Sequence, residues 1–179
     1  GSTNFTENSF SESYNNIMIF ENPKLAKILK EKINSFYLGK FSTDSTVLGE
    51  DISSDFSIYF CPNHFCEFSV LDKVKEAEKN ISCMIYSFTL DDLADELINA
   101  KQREIDIKII LENQQITQYS EYQKLKANNI DVILDNRPFL MHNKFCVIDE
   151  ETLITGSMNF SVNGINNNDE CLLVIKDKN

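Results

Sequence analysis

His142 and Lys144 are separated by one residue, four more lead to Asp149, and six more lead to Gly156-Ser157-x-Asn159. On a strand, residues two apart point to the same face, so His142 and Lys144 would project together. A neutral imidazole is a competent nucleophile towards phosphorus near pH 7. A lysine beside it supplies a fixed cation for a non-bridging phosphate oxygen. The Ser157 hydroxyl and the Asn159 amide add neutral donors, and Gly156 leaves room for close backbone approach. Together these groups oppose the charge that builds up on a pentacoordinate phosphorus. Each residue alone has a bland reading: a lone histidine before an apolar strand is usually structural, and Asp149 alone suits a turn. The spacing of the whole set points to phosphodiester chemistry.

Hydrophobic periodicity predicts the elements that hold this set. Asn22-Pro23 opens a helix, with Leu25, Ile28, Leu29, Ile33 and Phe36 at helical spacing and Gly39 as its stop. Residues 39–56, rich in Ser, Thr and Asp, are expected to be a linker. From Ser57 strands and helices alternate: strand 57–61, helix 65–79, strand 81–88, helix 90–101, strand 105–111, helix 116–128 and strand 130–134. Strands 144–148 and 152–155 flank a Glu150-Glu151 turn, and strand 171–175 ends the chain. The alternation predicts an α/β sandwich around a mixed, mostly parallel sheet with helices on both faces.

The run from His142 to Asn159 resembles the signature of the phospholipase D superfamily, HxK(x)4D(x)6GSxN, at every spacing. The resemblance covers most of the chain. IYFCP before a helix, MIYSFTLDDLADELINAK and YSEYQKLK are similar to the small-nuclease and mitochondrial cardiolipin-hydrolase branch. Asn143 stands where many relatives have a second histidine. The resemblance implies the phospholipase D-like sandwich and a metal-independent phosphodiesterase, without cofactor, acting through a phosphohistidine. It implies a nuclease first, with a phospholipid or cardiolipin hydrolase, or a phosphate-binding lobe unable to turn over, as alternatives. It gives His142, Lys144, Ser157 and Asn159 catalytic roles, makes Asp149 mainly an organiser of the loop, and sets Glu170 where the family acid hydrogen-bonds the nucleophilic histidine. It also implies a pocket wall at Tyr86-Ser87-Phe88-Thr89. Gly156, Ser87, Gln114 and Asn4 are the expected substrate-binding positions, Gln114 from a polar loop entering a helix.

Cys61-Pro-Asn-His64-Phe-Cys66 offers three soft ligands, but they are crowded and a fourth is not apparent, so no metal is expected. The five cysteines are odd in number and irregularly spaced. Cys83 and Cys146 lie in apolar runs and suit small core positions, so no disulfide framework is expected and a reducing, cytoplasmic setting is favoured. Net charge is −11, with no basic stripe of the kind a duplex binder shows. A polyanionic substrate would therefore be held by a few local groups.

Residues 1–6, GSTNFT, echo residues 156–161, GSMNFS, at an offset of 155, and the echo runs without gaps to Ile17–Phe20 and Leu172–Ile175. A cloning scar at Gly1-Ser2 would explain the first two matches. The fuller reading makes residues 1–38 the tail of a preceding repeat and residues 57–179 a second, complete one. The family needs two facing motifs, so a homodimer or pairing with an upstream repeat is expected. The apolar helix after Pro23 would close the 57–179 sheet from its own chain or from a second copy.

Overall fold

The computed structural model describes residues 1–177, the side chains of Thr43 and His64 excepted. Its centre is an eight-stranded sheet in the order β1-β2-β10-β8-β7-β3-β5-β6. In chain order these are β1 (Gly49–Ser53), β2 (Phe56–Cys61), β3 (Asn80–Ile85), β5 (Asp106–Glu112), β6 (Asp131–Asp135), β7 (Lys144–Ile148), β8 (Thr152–Gly156) and β10 (Glu170–Lys176). Two short strands, β4 (Phe88–Thr89) and β9 (Phe160–Ser161), pair separately.

Only β3, β5 and β6 run parallel; every other pairing in the large sheet is antiparallel. The expectation of a mostly parallel sheet is therefore corrected. The βαβ alternation does give parallel neighbours, but it stops at β6, and the β7–β8 hairpin with its return strand β10 supplies antiparallel ones.

Helices α3 (His64–Lys75), α4 (Asp91–Gln102), α5 (Tyr122–Ala127) and α6 (Val162–Asn166) contribute to the main core on one face. Val70, Leu93, Leu97, Leu125 and Ile165 pack there against Ile81, Ile107, Ile109 and Ile154. The 116–128 helix is cut to α5, because Asn113–Gln115 forms a 3-10 turn and the chain stays extended at Ile116. On the other face α2 (Pro23–Tyr37) lies over β2 and β10, capped by the Asn22 side chain, which accepts from Leu25 N at 3.0 Å. Leu25 and Ile28 pack with Ile58, Phe60 and Leu173. The helix thus closes the sheet of its own chain. Leu29 and Ile33, expected inward, are instead exposed. Burying one such side chain stabilises by roughly 1.5–3 kcal/mol, so Leu25 and Ile28 are the anchors of this helix. The 39–56 stretch, expected to be a linker, also holds β1, a polar edge strand whose short GEDIS run carries no apolar alternation.

The cysteine expectation is overturned. Cys83 is bonded to Cys146 and Cys61 to Cys66, while the Cys171 thiol is free and pushed up to about 11 by burial. Cys83 and Cys146 are direct cross-strand partners on β3 and β7, a pairing visible only once the sheet order is known. The cysteine argument for a reducing compartment falls with it. The Cys61 and Cys66 sulfurs, joined to each other, do not form the weighed metal cluster; the His64 side chain lies outside the described residues. No helix among the described residues is long and apolar enough to cross a membrane.

The echo at offset 155 extends to hydrogen bonds. Ser157 N donates to Cys171 O, and Cys171 N donates to the Ser157 hydroxyl, both at 3.0 Å. Ser2 N donates to Asn16 O, and Asn16 N to the Ser2 hydroxyl, both at 3.1 Å. Ser161 caps α6 by accepting from Gly164 N, as Thr6 caps α1 (Glu7–Ser11) by accepting from Ser9 N. A Cβ on Gly156 would lie 2.0 Å from Cys171 O, and one on Gly1 2.1 Å from Asn16 O. Both glycines are required by the same close backbone approach.

Candidate active site

His142 sits just before β7 and is held on both sides through its backbone. Its N–H donates to Tyr14 O at 2.9 Å, and Tyr14 N donates to Leu140 O at 2.8 Å, so residues 14 and 141 form a parallel bridge. Asn143 is buried: its carbonyl accepts from Tyr86 N at 2.8 Å, and its Oδ1 accepts from Asn16 Nδ2 at 3.0 Å. The approach to His142 is tied down by Glu112, a buried carboxylate at the end of β5. Glu112 accepts from Met141 N at 2.8 Å and from Gln114 N at 2.9 Å. Charge-assisted bonds to backbone N–H groups of this kind are stronger than neutral ones. Arg137 is engaged with Asp135 and stacks 3.8 Å over the Tyr14 ring, which steadies the same loop.

The His142 ring has two oxygen neighbours at Nδ1, Ser2 O and Asn15 Oδ1, each at 3.1 Å. Two acceptors at Nδ1 call for a proton there, which leaves the lone pair on Nε2. Nε2 makes no hydrogen bond among the described residues. Burial, and then the Lys144 cation, hold the imidazole below its ordinary pKa, with the Ser2 carbonyl opposing. The Tyr86 ring meets His142 edge-on at 4.6 Å.

Lys144 is buried at the start of β7, and its Nζ donates to His142 O at 2.8 Å. The same ammonium lies 4.9 Å from the Tyr86 ring centre. Burial brings its pKa down to about 8, partly offset by Glu170. The Ser157 oxygen accepts from Cys171 N, so its own proton remains available. Asn159 Oδ1 is buried without a partner among the described residues. An imidazole with a bare Nε2 and an adjacent ammonium can attack phosphorus and neutralise the charge that follows.

Several expected positions are placed differently. Asp149 lies just past the far end of β7, where it accepts from Glu78, Lys79 and Asn80 N–H groups at 2.8, 2.7 and 3.0 Å. It organises the turn and has no place among the catalytic groups. Glu170 does not bond His142; its carboxylate accepts from Asn168 at 3.4 Å and acts on Lys144 through charge. Asn15 contacts the His142 ring instead, from the N-terminal segment whose Tyr14 bridges to the backbone around Met141. Gln114 is exposed, whereas its neighbour Gln115 donates to the Tyr86 hydroxyl at 3.0 Å. Asn4 is exposed, and its carbonyl only accepts from Thr6 N. Ser87 is half-buried next to Tyr86, and it is Tyr86 that forms the wall. Asn15, Tyr86 as a ring contact, and Glu112 were not singled out for the site. The offset of 155 could have found Asn15, since it sets Asn15 against Glu170.

The family described as "Cardiolipin synthase, PLD-like domain" matches residues 70–179. The chain is 30% identical over 145 residues to a phospholipase D of Rickettsia prowazekii, covering 80% of this chain and 71% of that protein. It is 29% identical over 126 residues to a mitochondrial cardiolipin hydrolase of Chlamydomonas reinhardtii, covering 65% of this chain and 56% of that one. Among solved structures, the phospholipase D family member Nuc from Salmonella typhimurium superposes with a TM-score of 0.64 at 28% identity. That match covers 68% of this chain and 82% of Nuc. With the His142–Lys144 pair and the sheet that presents it, these likenesses show that the chain belongs to the phospholipase D superfamily and is a phosphodiester hydrolase.

Proposed function

We propose that the chain hydrolyses phosphodiesters without a metal, through a phosphohistidine on His142, and that its substrate is a nucleic-acid strand. The observation that carries the chemistry is the His142 ring, with Nδ1 between two oxygen acceptors, Nε2 unbonded, and the Lys144 ammonium on the adjacent backbone carbonyl. Nε2 attacks phosphorus; Lys144, Ser157 and Asn159 take the non-bridging oxygens. A second histidine protonates the leaving oxygen and then activates water. That residue comes from a second copy or from an upstream repeat whose tail is residues 1–38. The matched hydrogen bonds of residues 1–16 and 156–171 support the repeat.

The fold likeness to Nuc supports nucleic acid. A phospholipid is the second reading. Phe5, Phe10, Ile17, Ile19 and Phe139 are exposed on the segments that reach the site, and the relatives above are named phospholipase D and cardiolipin hydrolase. The test uses labelled single-stranded DNA and RNA, phosphatidylcholine and cardiolipin vesicles, and an aryl phosphodiester, all in excess chelator. Cleavage of a nucleic acid with trapping of 32P on His142 is expected. Lipid cleavage alone would move the assignment to the second reading, and activity that returns only with magnesium would refute the mechanism. Light scattering at micromolar concentration reports whether a second copy completes the site: a dimer is expected.

A further inference from the structure

Tyr86 stands where β3 ends and the chain bends, one register step past the Ile85–Lys144 pair, and its N–H donates to Asn143 O at 2.8 Å. Its side chain is fixed at the far end too. Gln115 Nε2 donates to the phenol oxygen at 3.0 Å, from the 3-10 turn whose Gln114 N–H is held by the buried Glu112 carboxylate. Between these two anchors the ring touches both members of the reactive pair. Its centre lies 4.6 Å from that of the His142 imidazole, and the Lys144 ammonium lies over its face at 4.9 Å. An ammonium has three N–H donors. One is on His142 O at 2.8 Å, and the ring face closes a second side. We infer that Tyr86 is the positioning residue of the Lys144 charge: its ring face holds the ammonium beside the imidazole and leaves the third donor for a phosphate oxygen.

The inference rests on His142 and Lys144 as the reactive pair and adds a residue outside their motif. Burial disfavours the charged form of Lys144, and Glu170 opposes that through charge. The face of an aromatic ring attracts a cation, more strongly where water is excluded. Tyr86 therefore supports the ammonium without setting another carboxylate beside the phosphate, where like charges would repel. The charged and titratable groups around Lys144 come from four elements. They are His142 ahead of its own strand, the Tyr86 phenol after β3, Glu112 at the end of β5 near that phenol, and Glu170 at the start of β10. The described contacts of Nζ itself are the His142 carbonyl and the Tyr86 ring. Gln115 acts through Tyr86 by fixing its phenol, and Glu112 by fixing the turn that carries Gln115.

The experiment uses the full chain with Tyr86→Phe, and then with phenylalanines carrying one, two and three ring fluorines at position 86. Fluorine draws electron density from the ring face with little change in size, so the series separates the face from the space it fills. The Lys144 ammonium is titrated by 15N NMR with lysine labelled at Nζ, and Lys144→Gln assigns its signal. The midpoint is expected to fall with each fluorine, by about half a unit over the series, because a weaker ring face holds the charged form less well. Tyr86→Phe, which loses the Gln115 bond and keeps the face, should move it less than the full series does. A midpoint that stays fixed across the fluorinated rings, or rises, overturns the assignment, since a ring that only fills space does not respond to fluorine. The titration is read whether or not the protein turns over, so a failure of the hydrolase reading shows separately as absent phosphodiester cleavage by the wild type. In an active assembly, the alkaline limb of the pH–rate profile should move downward with the midpoint; an unmoved limb also counts against the assignment.

Discussion

Residues 1–20 and residues 156–175 share a backbone pattern at one offset, yet they bury their side chains in opposite ways. Phe160 is 1% exposed and its counterpart Phe5 is 97% exposed; Val174 is 8% exposed and Ile19 89%. Ile165 and Leu172 are core residues, whereas Phe10 and Ile17 face solvent. Local groups alone explain the shared part. A Ser at the start, a hydroxyl N-cap and a glycine with a carbonyl pressed on it close the same loop twice. Burial needs neighbours, and the C-terminal copy places Phe160, Ile165 and Leu172 in the main core, which takes in no residue of the N-terminal copy. The N-terminal copy contributes to the site through polar groups, Ser2, Asn15 and Asn16, and little to the core.

The largest expected contrast is chemical. His142→Ala should lower phosphodiester turnover by at least about a thousandfold, since loss of a nucleophile removes the covalent route. Asn4→Ala, on the exposed copy, should stay within about tenfold. Single-turnover assays decide, and comparable losses would erase the distinction. In stability, Phe160→Ala should cost about 3–5 kcal/mol, while Phe5→Ala should stay within about 0.5 kcal/mol by urea unfolding. An equal cost would mean that Phe5 is covered in solution by a second copy or another segment.

Acid–base behaviour comes next in size. Lys144 serves only while charged, and its pKa of about 8 lies below that of an exposed lysine. Activity should fall as pH rises through about 8, by roughly tenfold at one unit above it. Stability runs the other way there. Between about 8 and the ordinary lysine value the unfolded chain binds more protons than the folded one, so folding strengthens with rising pH. A flat alkaline rate profile would show that Lys144 is not needed in its charged form. The smallest contrast is at the caps. Ser161→Ala should cost about 1 kcal/mol, and Thr6→Ala clearly less, because the exposed copy opens locally at low free energy. Hydrogen exchange gives the same comparison without mutation: Cys171 N–H should outlast Asn16 N–H, and the reverse order would contradict it.

The motif from His142 to Asn159 was fully legible in the sequence, because its chemistry depends on residue types at fixed short spacings. The strands around it were legible for the same reason: β7 runs over Lys144–Ile148 as the apolar alternation predicts. The echo at 155 was also readable, since identical local groups make identical turns. What the tertiary structure decided involves groups far apart in sequence. Sheet order makes Cys83 and Cys146 partners and turns most pairings antiparallel, and neither follows from any one strand's pattern. The His142 partner is Asn15, 127 residues away, rather than Glu170, because the N-terminal segment lies across the strand entry. Asp149 could be placed by spacing but not by role: five strand residues carry it from the histidine end of β7 to the other, where three backbone N–H groups claim both its oxygens. Spacing determines which side chains share a face; only the packed chain determines what stands opposite them.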